Sequence, residues 1–301
     1  MCASETLTLY LDAPALQRVE AGTHNFFGKV IAAVTGAGWQ VALAESTLAN
    51  RLAAPARPGY ALYHMEEPTH ERALTCRRSY VGAFWQIEAM AERWHWPVAR
   101  AAFAPETVDA RQAETFFRNW KNRLWPGGID TADRGHVFVP LQGRLLDHRR
   151  FQAMSPLAML ETLLARTDRP VIATLHPNEI YPDDEIAALA ALAARQPRLT
   201  VQKGGSAEVL AGAAMVACEN STMAFEGYFL EKPALLFAQI DFHHIAASVP
   251  RDGIEAAFAP RAAPDYRRYL YWFLQQRAIN AGRDDSGERI LAALRRNGWP
   301  I

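Results

Sequence analysis

The chain has 301 residues, half of them apolar, with 32 basic side chains against 32 acidic ones. That length supports about two domains, each with a hydrophobic core of its own. The zero formal balance argues against a basic stripe built for nucleic acid, so no nucleic-acid partner is expected.

The cysteines, Cys2, Cys76 and Cys218, show neither CxxC spacing nor a metal-ligand pattern, and read as free thiols of a reducing compartment. Residues 1–14 lack a basic start followed by an apolar run, so no secretory signal is expected. The most apolar windows, 209–218 and 234–240, fall well short of the roughly 20 residues a membrane-spanning helix needs. The expected location is cytoplasmic, with peripheral attachment at the inner face of the cell membrane left open.

In chain order, residues 7–11 read as a strand and 24–37 as a helix ended by Gly36 and Gly38. Strands follow at 39–44 and 60–64, then helices at 81–93 and 107–123 with an extended 98–102 between them. This alternation predicts a mainly parallel sheet with helices on its faces. Neither GxGxxG nor GxxxxGK[ST] occurs, so the common nucleotide fingerprints are absent. Trp125-Pro126-Gly127-Gly128 and the polar run 129–135 form the best linker. Beyond it, HVFVPL (136–141) is a strand, and Ser155-Pro156 opens a helix with Leu157, Leu160 and Leu164 as its buried stripe. Strands at 171–175, 199–201, 214–218 and 234–237 alternate with a helix at 184–195 that has acids in its first turn and Arg195 in its last. Residues 265–280 read as one long aromatic helix, and 286–296 as another closed by Asn297-Gly298.

Ligands of an open parallel sheet bind beyond the carboxyl ends of its strands. The tails of the second half are therefore the place to look, and a parallel topology puts all of them on one edge. They read Gln142, Arg144 and Asp147; His176-Pro177-Asn178-Glu179; Lys203-Gly204-Gly205-Ser206; Glu219-Asn220-Ser221-Thr222; and Gln239-Ile240-Asp241. Ser221 and Thr222 stand where a helix begins, so the plain reading is a cap. The same free amides, at the positive end of the helix dipole, also suit a phosphate or carboxylate. His176 reads equally as a strand-end histidine satisfied by a carbonyl or as a donor that helps a phosphate leave. The Lys203–Ser206 stretch is either an ordinary turn or a close backbone approach with a lysine point charge. Asp147 is a solvated loop acid or, in a cleft, a base or nucleophile. Glu226 is a surface charge or a ribose partner. Asp183-Asp184 and Asp284-Asp285 read as helix-start acids, and no metal site is expected.

The segments VFVPLQ, VIATLHPNE and GGSAEVLAGAAMVACENSTMAFEGYFLEKPALLF, with the YLYWFLQQRAIN stretch, look familiar together. Through Gln142…Asp147, His176-Pro177, Asn220-Ser221-Thr222, Glu226 and Lys232-Pro233, residues 136–282 resemble the capsule polysaccharide biosynthesis family. That family includes bacterial 3-deoxy-manno-octulosonic acid (Kdo) transferases of GT-B-like fold. The resemblance implies an α/β chain of two Rossmann-like domains with a cleft between them. Residues 1–128 would be the acceptor-binding domain, 136–264 the nucleotide-sugar domain, and 265–301 C-terminal helices packing back on the first.

The implied activity is a metal-independent glycosyltransferase with no cofactor. Its donor would be a nucleotide sugar, preferably CMP-activated Kdo or a similar acidic sugar, and its acceptor a surface polysaccharide or glycolipid. The implied donor-binding residues are Gln142, His176, Pro177, Lys203, Gly204, Ser206, Asn220, Ser221, Thr222 and Glu226. Asp147 and His176 would be catalytic, Asp147 as nucleophile at a longer spacing from Gln142 than the family pattern has. His24, Asn25 and Glu88 are the acceptor-side candidates, while Trp85, Trp94 and Trp96 read as core. Two rivals stay open: a CDP-polyol phosphotransferase, which has no need of Asp147, and a catalytically silent GT-B-like binding module.

Overall fold

The computed structural model describes residues 5–301, so Cys2 lies outside the described residues. The strands are β1 (Thr6–Leu11), β2 (Gln40–Glu45), β3 (Tyr60–His64), β4 (Ala73–Arg78), β5 (Phe84–Glu88) and β6 (His136–Leu141). They continue with β7 (Val171–Leu175), β8 (Leu199–Lys203), β9 (Ala213–Cys218), β10 (Ala234–Leu236), β11 (Ala247–Ser248) and β12 (Ile279–Asn280). They form two sheets in two compact units, Met1–Val98 with Phe273–Ile301, and Ala99–Trp272.

The first unit's sheet has the order β12-β5-β4-β3-β1-β2. β2, β1, β3 and β4 are parallel, β5 runs antiparallel beside β4, and β12 pairs antiparallel with β5 at the edge. Leu7, Leu9 and Leu11 alternate inward along β1, as a strand's two-residue period requires. Phe26, Phe27, Val30 and Val34 recur at helical spacing on the helix Asn25–Gly36 and bury in the same core. Ile290, Ala293 and Leu294 of the helix Ser286–Arg296 join them. Gly59, at φ +84°, opens β3: a Cβ there would sit 2.2 Å from the Thr6 carbonyl oxygen, so only glycine fits.

Two local expectations are corrected in this unit. The expected helix 81–93 is instead the strand β5, paired with β4, which the sequence reading left unassigned. The apolar residues of 81–93 fit a helix face, but the strand buries all five residues of Phe84–Glu88 at once, and that burial overrides the local pattern. The expected long helix 265–280 stops at Tyr271, passes through a π-helical turn over Trp272–Gln276, and ends in β12. The boundary between the two units, after Trp272, falls inside the π-helical turn.

The second unit's sheet has the order β11-β10-β9-β6-β7-β8, parallel throughout. Counted within the unit this is the doubly-wound order 3-2-1-4-5-6. β6 sits centrally and is buried over its whole length, which explains its unbroken apolar run. Ser155 Oγ accepts the Ala158 amide and Pro156 begins the helix Pro156–Arg166, whose Met159, Leu160, Leu163 and Leu164 cover the sheet. The expected linker at 125–135 lies inside this unit, as does the helix Ala110–Leu124. That helix packs against the helix Tyr266–Tyr271, with Phe116 edge-on to Tyr271 at 5.7 Å. The extended stretch expected at 98–102 is a short helix, Pro97–Arg100. Among the described residues no helix is long and apolar enough to cross a membrane.

Candidate functional site

In the 3-2-1-4-5-6 order, the chain reverses its direction of travel across the sheet between β6 and β9, and the crevice beyond that pair is the binding place of the fold. The ladder between β6 and β9 stops at Phe138↔Val216, while β6 runs on to Leu141 and β9 to Cys218. Pro140, which has no N–H to donate, falls in that released end. A small pocket opens there, about 10 Å³ and so room for about one water, lined by Pro140, Leu141 and Gln142 from one side and Glu219, Asn220 and Ser221 from the other, with Pro156 and Met159 at its wall.

Ser221 is buried, and its Oγ accepts the Met223 amide at 3.3 Å, capping the helix Thr222–Tyr228. Its hydroxyl hydrogen remains available to donate. Thr222 is exposed and Glu226 half-buried on the same helix. From the other neighbour of β6, the tail of β7 comes alongside. Tyr181 Oη accepts the His176 amide at 2.9 Å and donates to the Leu141 carbonyl at 3.4 Å, tying the two strand ends together. Glu179 packs so close that a Cβ on Gly143 would lie 2.8 Å from its Oε2. His176 is exposed, and its Nδ1 accepts the Asn178 amide at 3.3 Å. In the neutral ring that bond leaves the hydrogen on Nε2, a donor for an incoming oxygen.

Gln142, Asn220 and Ser221 are thus brought to one pocket, with His176-Pro177 leaving the same edge one strand away. Lys203, Gly204 and Ser206 also leave that edge, but from β8, the outer strand beyond β7. Their turn has both glycines at positive φ, +77° and +70°, and Ser206 Oγ meets Thr174 Oγ1 at 3.1 Å. Asp147 does not line the pocket: it is exposed, with Oδ2 2.6 Å from Arg144 Nε.

Glu219 is the residue that sequence reading passed over. It is 6% exposed, and burial pushes its carboxyl up to about 7. Its Oε2 accepts from Gln152 Nε2 and, at 3.3 Å, from Arg149 Nη2. Both donors arrive on the loop after β6, which folds back to pair Gln152 with Ala238 beyond β10. The position at a strand end beside Asn220-Ser221 was visible in the sequence, but the burial was not.

The first unit has its own crossover, between β1 and β3. Asp12 follows β1, accepts the Ala15 amide at 2.7 Å, and has its other oxygen 3.3 Å from Nδ1 of His64 at the end of β3. His24 caps the helix Asn25–Gly36 through Nδ1 and lies 5.9 Å from the Trp85 ring, which is itself 5.8 Å from His64. Asn25 is exposed, and its Nδ2 donates to the Ala281 carbonyl. Glu88 comes from β5. It ends β5 opposite Thr75, whose own partner Tyr63 stands one residue before His64. Its carboxyl is 4% exposed, pushed up to about 7 by burial, and held 3.0 Å from Arg296 Nη2. Trp85 is stacked on Phe26 at 4.2 Å and Trp96 is buried, both as core, and Trp94 is half-buried.

Fold and site together define a two-unit, Rossmann-like α/β protein with a polar crevice at the crossover of its second sheet. No family model matches the chain, and no curated protein matches it by sequence. Among solved structures, the chain is similar to the KpsC beta Kdo 2,7 transferase of Thermosulfurimonas dismutans, with TM-score 0.56 and 11% identity over 97% of this chain and 99% of that one. It is also matched to the KpsC beta Kdo 2,4 transferase of the same organism, with TM-score 0.46 and 11% identity over 87% and 88%. A third match is an S. aureus MnaA–UDP co-structure, with TM-score 0.34 and 10% identity over 96% and 95%. The first likeness establishes the fold: two Rossmann-like units of the GT-B type, in the form seen in a Kdo transferase.

Proposed function

We propose that the chain is a glycosyltransferase that takes a sugar from a nucleotide-activated donor and adds it to a surface polysaccharide or lipid-linked acceptor. CMP-activated Kdo, or a similar acidic sugar, is the preferred donor. The observation that carries this reading is the gathering of Gln142, Asn220 and Ser221 in the crossover pocket, with His176 leaving the same sheet edge. The fold shared with a Kdo transferase supports it.

The chemistry asks one thing above all of these residues: to stabilise negative charge that grows on a departing phosphate. Donors fixed in advance do this best, because they need no reorganisation as the charge develops. His176 offers Nε2–H, Ser221 its hydroxyl hydrogen, and Gln142 and Asn220 their amides. Glu226 on the following helix serves the ribose, and Lys203 adds a more distant positive charge. The reading needs no cofactor and no metal. In the first unit, His24, Asn25 and Glu88 remain the acceptor-side candidates.

His176→Ala is expected to lower transfer from CMP-Kdo by about 100-fold or more, the usual effect of losing one such donor. An unchanged melting temperature would show that the fold is intact, and normal turnover would sink the role. A second reading, polyol-phosphate transfer from a CDP-linked donor, is favoured by the exposure of Asp147 and its pairing with Arg144, since that chemistry needs no carboxylate nucleophile. Analysis of the product separates the two, because only the second leaves a phosphate in the new linkage.

A further inference from the structure

The second sheet has another edge, where its strands begin. β10 starts there at Ala234 and β11 at Ala247, and the helix Pro156–Arg166 ends there before β7 starts. A cavity of about 430 Å³ opens on this edge, against about 10 Å³ in the crossover pocket at the carboxyl ends of the same sheet. Six alanines line it, Ala234, Ala247 and Ala259 among them, and their short side chains leave the space. Leu163 and Met215 give it longer apolar walls. Met215 is only half-buried although β9 lies inside the sheet, between β10 and β6, where a parallel strand is normally covered on both faces.

The outer wall is the loop 259–264. Residues 259–263 are exposed, so the cavity opens to solvent on that side. Pro260 and Pro264 each fix a backbone angle of the loop. Arg261 anchors it, with Nη2 2.6 Å from Asp252 Oδ2 and 3.4 Å from the Ala256 carbonyl oxygen. The volume and the mainly apolar lining are those of a small-molecule site, in which a few polar groups orient the ligand.

Arg166 is the polar group free to do so. Its guanidinium lies 5.3 Å from the Phe258 ring centre and donates twice to Glu255, at 2.6 Å and 3.1 Å. A carboxylate thus already sits on Arg166 in the paired geometry that a ligand's carboxylate would use. The Glu255 side chain is 79% exposed and does not line the cavity, and an exposed pair of this kind holds weakly enough to be exchanged. The other charged groups of the lining are committed elsewhere, Arg261 to Asp252 and Glu231 to Arg267 at 2.8 Å. What fits is one carboxylate on a single apolar tail.

We propose that this cavity binds a free fatty carboxylate, its head paired with Arg166 in place of Glu255 and its chain lying along Leu163, Met215 and the alanines. The site stands at the opposite edge of the sheet from the crossover pocket and does not depend on the nucleotide-sugar reading.

The experiment is calorimetric titration of the full chain with dodecanoate near neutral pH, for the wild type, Arg166→Gln, Glu255→Gln and Ala259→Trp. Melting temperatures without ligand establish that each variant is folded. The wild type is expected to take up one equivalent. Arg166→Gln raises the Kd about tenfold, the usual effect of losing a hydrogen bond to a charged group. Glu255→Gln lowers it about threefold, because the competing carboxylate is gone, a gain that mere structural damage would not produce. Ala259→Trp fills the space from an exposed loop position and prevents uptake. No binding by the wild type, or the same Kd in all four proteins, overturns the proposal. So does an unchanged Kd in Arg166→Gln, or an unchanged or higher one in Glu255→Gln, since the head would then lie elsewhere. No nucleotide enters these titrations, so their failure leaves the transferase reading to its own tests.

Discussion

Asp12 shows how one side chain links a fold to a site. One carboxylate oxygen caps the helix Ala13–Glu20, and the other lies 3.3 Å from His64 Nδ1. His64 is held below the usual histidine range chiefly by burial, with Arg77 and Arg78 pushing the same way and the Asp12 carboxylate pulling it back up. His24 is lowered for the same leading reason, and His64 adds to it. Both rings are therefore neutral near pH 7 and take up protons only in acid. Asp12→Asn keeps the capping oxygen but removes the charge. Nuclear magnetic resonance titration is expected to show His64 lower in the variant than in the wild type. An unchanged or higher value would contradict the role given to Asp12.

At the scale of elements, what was legible depended on whether the decisive contacts were local. β6 reads as a buried strand because every residue of HVFVPL is covered on both faces, and the Ser155-Pro156 start is a local cap. β5 did not read as a strand. Its spacing suited a helix, and its partners, β4 and a two-residue β12 from near the far end of the chain, have no local signature. The same division runs through the site. Gln142, His176 and Ser221 could be found as the tails of strands, because a parallel sheet sends them all to one edge. The burial of Glu219 could not, because Gln152 and Arg149 reach it through a loop that turns back on Ala238.

For the whole molecule, the buried carboxyls make stability depend on pH. Glu88 and Glu219 are both raised to about 7 by burial, so each binds its proton more tightly folded than unfolded. The stability they contribute is fully present below the ordinary glutamate value and is lost as pH rises through about 7. With about 1.4 kcal/mol per unit of difference, each accounts for on the order of 3 kcal/mol. Asp252 acts in the other direction. Arg251 and Arg261 hold it well below the usual carboxylate range, so its contribution is lost only in strong acid. Denaturant unfolding is therefore expected to show a maximum in mildly acidic solution and a fall between pH 5 and pH 8 that is shallower in Glu88→Gln. A rise across that interval would contradict these assignments.

The second unit joins a doubly-wound sheet to a pocket of hydrogen-bond donors at its crossover, and the reading as a sugar transferase depends on a nucleotide phosphate lying there. A crystal soaked in CMP tests this most directly. Phosphate density between the ends of β6 and β9, within hydrogen-bond distance of Ser221 and Asn220, is the expected result. A phosphate bound elsewhere in the second unit, with that pocket holding only water, would contradict it.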